Sequence, residues 1–77
     1  MNKERRSRII QIISELESLK NDIENVGEDE QEAYDNLPES IQNSERGESM
    51  YDNVSGLEDV ASNLDDIIYT FSDIIGR

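Results

Sequence analysis

The residues best suited to chemistry in this 77-residue chain are its carboxylates, which gather in two groups. The groups are Glu28, Asp29, Glu30 and Glu32 in the first half, and Glu58, Asp59, Asp65 and Asp66 in the second. Carboxylate oxygens bind Mg²⁺, and bound Mg²⁺ can assist the hydrolysis of a nucleotide pyrophosphate. Magnesium-dependent hydrolysis is therefore the first chemistry to weigh.

A helical magnesium site needs carboxylates that face inward and recur one turn apart on adjacent helices. The apolar pattern described below places only Glu30 on an inward face. The segment from Asp52 to Gly56 resembles the start of a calcium loop, but it lacks the alternating acidic ligands and the terminal Glu. We therefore predict no metal, no cofactor and no catalytic residue, and we keep a Mg-dependent all-α nucleotide pyrophosphohydrolase as the third of three hypotheses.

The amino-acid composition excludes several kinds of catalytic site and several kinds of partner. The chain has no His and no Cys, which removes the commonest general base, the commonest metal ligand and any thiolate nucleophile. Its 19 acidic and 7 basic residues give a net charge of -12, which repels free nucleic acid and suits the basic surface of another protein. These features predict a non-enzymatic protein that binds a partner protein and makes no direct contact with nucleic acid.

The N-terminal segment is basic like a signal peptide, but polar residues interrupt the stretch after it and no small-residue cleavage site follows. No run approaches the roughly 18 apolar residues of a membrane-spanning helix. We expect a cytoplasmic protein with no membrane contact.

The elements that position these side chains are predicted by apolar residues at alternating intervals of three and four. In the first half these positions are Ile9, Ile12, Leu16, Leu19, Ile23, Val26, Glu30, Ala33 and Leu37, of which Glu30 alone is polar. In the second half they are Met50, Val54, Leu57, Ala61, Leu64, Ile68, Phe71 and Ile75. Such spacing is typical of helices packed along a heptad seam.

The chain is predicted to turn between these two helices. Pro38 cannot continue the first helix, although it can open a short helical turn, and Ser44 is a suitable N-cap for the second. We predict one domain over residues 1–77, with helix 1 at about 3–36, the turn at about 37–44 and helix 2 at about 45–75. Gly27 can interrupt helix 1 or lie within it; the unbroken spacing favours continuity.

The two seams also predict how the helices pair. Antiparallel pairing of Ile9 with Phe71, and so on inward to Val26 with Val54, gives residue numbers that sum to 80 and places the midpoint at Ser40. Further toward the turn, the same register pairs Ala33 with Gly47. The predicted fold is all-α: an antiparallel two-helix hairpin that resembles a coiled coil.

A second apolar row lies beside the seam. Its members are Val60, Ile67 and Ile74 on helix 2, with Ile10 and Ile13 on helix 1. Burying one large apolar side chain is worth about 1.5–3 kcal/mol, so this row should be covered. We predict a homodimer that forms a four-helix bundle; a foreign protein on the same row is the alternative.

The turn end of the hairpin, residues 28–52, is an acidic tip. It carries nine carboxylates, at positions 28, 29, 30, 32, 35, 39, 45, 48 and 52, against the single cation Arg46. Apolar and aromatic residues interrupt this charge, so a binding surface and a merely solubilising one are equally consistent with it. The predicted partner-binding residues are Tyr34, Leu37, Pro38, Glu39, Ile41, Glu45, Arg46, Glu48 and Tyr51.

The opposite end carries the one basic cluster, which consists of Lys3, Arg5, Arg6 and Arg8. This cluster could contact phosphates. In the predicted register, however, it lies beside the C-terminal end of helix 2, so we expect it to neutralise Asp73 and the exposed carbonyls there.

The segment from Asp29 to Glu48, DEQEAYDNLPESIQNSERGE, resembles the central block of small acidic helical proteins of phages and prophages in Gram-positive bacteria. The resemblance covers about a quarter of the chain, and it implies a phage accessory protein in the host cytoplasm. By analogy, such a protein inhibits a host or anti-phage defence protein, in some cases by imitating DNA. The second hypothesis is a structural homo-oligomer or assembly subunit.

Overall fold

The computed structural model describes all 77 residues and confirms the all-α class. Helix α1 spans Lys3–Asp35, the short α2 spans Glu39–Gln42 inside the predicted turn, and α3 spans Glu45–Gly76. Gly27 lies within α1, which continues through it without a break. The molecule is an extended body of 58 × 15 × 12 Å.

Local hydrogen bonds explain where the long helices begin. The Asn2 side chain accepts a 2.9 Å hydrogen bond from the Arg5 backbone N–H at the start of α1. The Ser44 hydroxyl accepts one from the Gly47 N–H at the start of α3, at 3.5 Å. Each cap satisfies one of the backbone donors that the first turn of a helix leaves free. Neither long helix is apolar enough to cross a lipid bilayer.

Helices α1 and α3 contact each other in antiparallel order. The Tyr34 ring faces Tyr51 with centroids 6.0 Å apart, and the Asn53 amide donates to Glu30 at 3.0 Å. Further from the turn, the Lys20 ammonium lies 2.8 Å from the Asp65 carboxylate.

The predicted register of these contacts was wrong by about one helical turn. Residue numbers in the three pairs sum to between 83 and 85, not to 80. Leu57 accordingly lies opposite Gly27, where a built Cβ atom would be 3.7 Å from the Leu57 Cβ.

The face that α1 turns toward α3 also differs from the prediction. Leu19 and Val26 remain 54% and 55% exposed, and Ile12 is 40% exposed, so they lie beside the contact and not in it. Their places are taken by a row shifted by one residue, whose members are Ile13, Lys20, Gly27 and Tyr34. This row prevails because Lys20 meets Asp65, Tyr34 meets Tyr51, and Gly27 lets the helices approach closely.

The face of α3 follows the predicted seam. Val54 and Ala61 are the two buried apolar residues of the chain, at 7% and 8% exposure. The other seam positions of α3 are half-buried. A core this thin is expected when only two long helices share one contact.

The turn depends on the lack of a side chain at Gly47. A Cβ atom at this position would overlap the carbonyl oxygens of Ile41 and Gln42, so Gly47 packs against α2 and not against Ala33 as predicted. The Gln42 side chain in turn donates to the Tyr34 carbonyl at 3.0 Å, which joins α2 to the end of α1. These two contacts fix the end of α1 relative to the start of α3.

Alanine substitution should distinguish the two interior glycines. Gly27→Ala should raise the free energy of unfolding by about 1 kcal/mol, because glycine is a poor helix former and the new methyl group would meet Leu57 at van der Waals distance. Gly47→Ala should lower it by about 2 kcal/mol, because the turn must open to admit the methyl group. Urea unfolding followed by circular dichroism at one protein concentration measures both changes.

Gly56→Ala is the matched control, since no atom lies within 4 Å of its built Cβ. It should gain helix propensity without a new contact. Equal stability of the Gly47 and Gly56 variants would contradict the close packing of α2 on α3.

Candidate protein-binding surfaces

One side of the α1–α3 pair carries an acidic groove of about 460 Å³. Its apolar floor is formed where Gly27 and Ala61 lack large side chains, between Ile23, Val54 and Leu57. Its polar lining includes the carboxylates Glu24, Glu28, Glu58 and Asp65. An apolar floor with an acidic rim can accept a Lys or Arg side chain, because the aliphatic stem packs on the floor while the cation meets the carboxylates.

Lys20 is the only cation of this groove. Its ammonium lies 2.8 Å from Asp65 and 3.4 Å from Glu24. The hydrogen bond to Asp65 raises the pKa of Lys20 above its ordinary value of 10.5; partial desolvation opposes this effect and Glu24 adds to it. Lys20 therefore neutralises one end of the groove, while Glu28 and Glu58 have no ion-pair partner.

The acidic tip carries a second, smaller depression on the same side. This cleft of about 340 Å³ is lined by Tyr34, Gln42, Asn43, Glu48, Tyr51 and Asp52. The two tyrosine rings are tilted by 60° to each other, and Tyr51 is 59% exposed. An exposed aromatic ring between carboxylates is a suitable anchor for a protein partner.

The structure places the predicted tip residues in two environments. Tyr34, Leu37 and Ile41 are half-buried and support the tip from within. The exposed members are Pro38, Glu39, Glu45, Arg46, Glu48 and Tyr51. Of the nine, the cleft brings together Tyr34, Glu48 and Tyr51.

The side opposite the groove is apolar. Here α1 presents Ile12, Leu19 and Val26, and α3 presents Val60 and Ile67, all between 40% and 55% exposed. The antiparallel contacts place both rows on one side of the molecule. The Glu30–Asn53 hydrogen bond lies on this side, since Asn53 is two turns before Val60 on the same row of α3. The Lys20–Asp65 pair lies on the opposite side, with the groove. We call these five residues the apolar flank.

The predicted oligomer residues divide between the two sides and the contact. Val60 and Ile67 belong to the apolar flank, and Ile74 continues their row as a half-buried residue. Ile13 lies instead in the α1–α3 contact row, because α1 is rotated relative to the prediction. Ile10 is 52% exposed. It lies on the groove side, because it shares a helix row with Glu17 and with the groove residue Glu24, seven and fourteen residues further along α1.

The basic cluster does not neutralise α3 as expected. Asp73 is paired with Arg77 at 2.9 Å, and none of Lys3, Arg5, Arg6 and Arg8 forms an ion pair.

The carboxylates considered for magnesium are not gathered, since no three acidic side chains come together in a group that could hold an ion. Glu30 lies in the contact with α3, where it accepts the hydrogen bond from Asn53.

No protein-family model, no curated protein and no solved structure matches this chain. Its function must therefore be inferred from these surfaces and from the sequence.

Sequence reasoning missed the acidic groove and the three α1 residues of the apolar flank. A usable signal for the groove was the pair of small residues Gly27 and Ala61, the first next to the predicted seam of helix 1 and the second on the seam of helix 2. The signal for the flank was the seven-residue spacing of Ile12, Leu19 and Val26, which had been assigned to the contact with α3.

Removal of Asp65 should change the titration of Lys20. Asp65→Asn should lower the pKa of Lys20 toward its ordinary value, and by more than Glu24→Gln does, because the Asp65 hydrogen bond is the largest cause of the upward shift. NMR titration of the Lys20 side chain measures this. Because the pKa is higher in the folded chain than in the unfolded one, the pair stabilises the fold at neutral pH and loses its effect as the pH rises above 10.5 through the folded value. Equal shifts in the two variants would contradict the dominant role of Asp65.

Proposed function

We propose that this chain is a non-enzymatic protein-binding module whose acidic side occupies a basic surface of another protein. The observation that carries the proposal is the acidic groove, with its apolar floor and its unpaired carboxylates Glu28 and Glu58. The tip cleft continues this side toward the turn, and its exposed Tyr51 adds an aromatic anchor. A partner that inserts Lys or Arg side chains would meet charge and apolar contact together.

The partner is proposed to be a host or anti-phage defence protein that the module inhibits in the host cytoplasm. This identity rests on the resemblance of residues 29–48 to small acidic phage proteins. Nucleic-acid mimicry agrees with the net charge of -12 and with the unpaired carboxylates Glu28 and Glu58 of the groove. A basic groove that normally holds a phosphate backbone would accept an acidic rod of this kind.

The apolar flank favours a second candidate function, that of a structural homo-oligomer. In this proposal the molecule is a coiled-coil-like hairpin, and two hairpins form a four-helix bundle. Five large aliphatic side chains on one side of a molecule whose core contains two buried apolar residues support it. The two functions use opposite sides of the molecule and are compatible.

Capture from a bacterial lysate tests the first function with three variants that each lose two negative charges. Glu28→Gln/Glu58→Gln changes the groove, Glu45→Gln/Glu48→Gln changes the tip, and Asp59→Asn/Asp66→Asn is the control outside both depressions. The groove variant should weaken binding of the captured protein by about tenfold, because it loses charges beside the apolar floor. Isothermal titration with the purified captured protein measures the change.

The control should retain binding within about twofold, since distant surface charges act weakly at physiological salt. A DNA duplex should compete for the captured protein if the module imitates nucleic acid. Equal weakening by the groove and control variants would show that net charge, not the groove, drives binding, and would overturn the proposal.

A further inference from the structure

The apolar flank lies on one broad side of the molecule, which is 58 Å long and 15 Å wide. The whole of that side is comparable in size to the roughly 800 Å² that each partner contributes to a stable complex. Its side chains come alternately from α1 and α3, which is the surface that a pair of helices presents to another pair.

The rows that border the flank on α3 indicate that this helix approaches another helix closely. Three residues after Val60 and Ile67 lie Asn63 and Thr70, and Gly56 continues this row seven residues before Asn63; none of the three is charged. The outer row of α3, in contrast, consists of Asp52, Asp59, Asp66 and Asp73. On α3, charge is thus absent next to the flank and concentrated away from it, as expected when this helix is covered. On α1 the corresponding row, Glu15, Asp22 and Asp29, is charged.

The two ends of the molecule carry opposite charges that are not satisfied within one copy. Arg5 and Arg8 form no ion pair, and Arg5 continues the row of Ile12, Leu19 and Val26 on the flank side. At the other end of the same side lies Asp29, three residues after Val26 and also without an ion pair. A second copy laid on the flank in reverse orientation would bring these groups together.

We infer that a second copy of this chain covers the apolar flank head to tail, with the acidic tip of each copy beside the basic cluster of the other. The inference rests on the second candidate function and is independent of the first. A two-fold axis that lies in the interface between the copies, perpendicular to the helices and level with Leu19, sets the two α1 helices antiparallel. Arg8 of one copy then lies level with Asp29 and Glu30 of the other, and α2 extends beyond the end of the bundle.

The opposite orientation is disfavoured by charge. It would set two acidic tips side by side, each with nine carboxylates and one cation. The head-to-tail arrangement brings Glu15 near Asp22 of the second copy, but both are exposed and their repulsion is screened by solvent.

Mass measurement and a distance between spin labels test this arrangement. Light scattering should give twice the 8.8 kDa of one chain, and Leu19→Glu should reduce it to one chain while Ser18→Glu, an exposed neighbour, leaves it unchanged. Because the chain has no Cys, Asn43→Cys gives one label site at the turn. Double electron–electron resonance should then show a distance between the two spin labels that is close to or above the 58 Å length of one molecule. Dilution with excess unlabelled chain should remove this signal.

A monomeric mass across the micromolar range would overturn the dimer and the second candidate function together. A dimer whose labels lie within about 20 Å, as neighbouring helices about 10 Å apart would place them, would overturn only the orientation. Arg8→Glu and Asp29→Arg should each weaken the dimer by several-fold, and the double variant should restore it. Failure of the double variant to recover would overturn the pairing of these ends.

Discussion

The contact of α2 with Gly47 sets the relative position of the two long helices. The carbonyl groups at the end of α2 lie where a side chain on Gly47 would be, and Gln42 holds α2 to the Tyr34 carbonyl. Since α1 and α3 are continuous helices, a position fixed at the turn is carried along both of them. The pairs Tyr34–Tyr51 and Lys20–Asp65 are therefore consequences of the same turn geometry, which the interactions of these side chains then reinforce.

The resulting register gives the molecule two different sides. With Gly27 opposite Leu57, the polar row of α1 turns toward α3, and the contact is lined by Lys20 and Tyr34 as well as by aliphatic residues. The more apolar row of Ile12, Leu19 and Val26 is left outside. The packing of α1 on α3 is thereby reduced, but the apolar flank becomes available to another apolar surface. The groove side keeps its carboxylates accessible.

This division would let so small a chain combine the proposed association with the proposed recognition. Apolar contact is non-directional and suits the joining of two copies, whereas carboxylates around a depression select partners by charge. The two activities would compete on one surface, because burying the carboxylates between copies would desolvate them without partners. Their separation onto opposite sides avoids that cost.

The sequence by itself determined the all-α class, the capping residue Ser44, and the row that α3 presents to α1, because each depends on residues that are near one another in the chain. Only the tertiary structure decided which row of α1 meets α3. Both candidate rows border the positions of Ile9, Leu16 and Ile23, and apolar content favours the row that remains exposed. The choice depends on Asp65, on Tyr51 and on the turn at Gly47, which meet α1 only after the chain has reversed direction. Heptad spacing describes each helix separately and contains no information about such contacts between them.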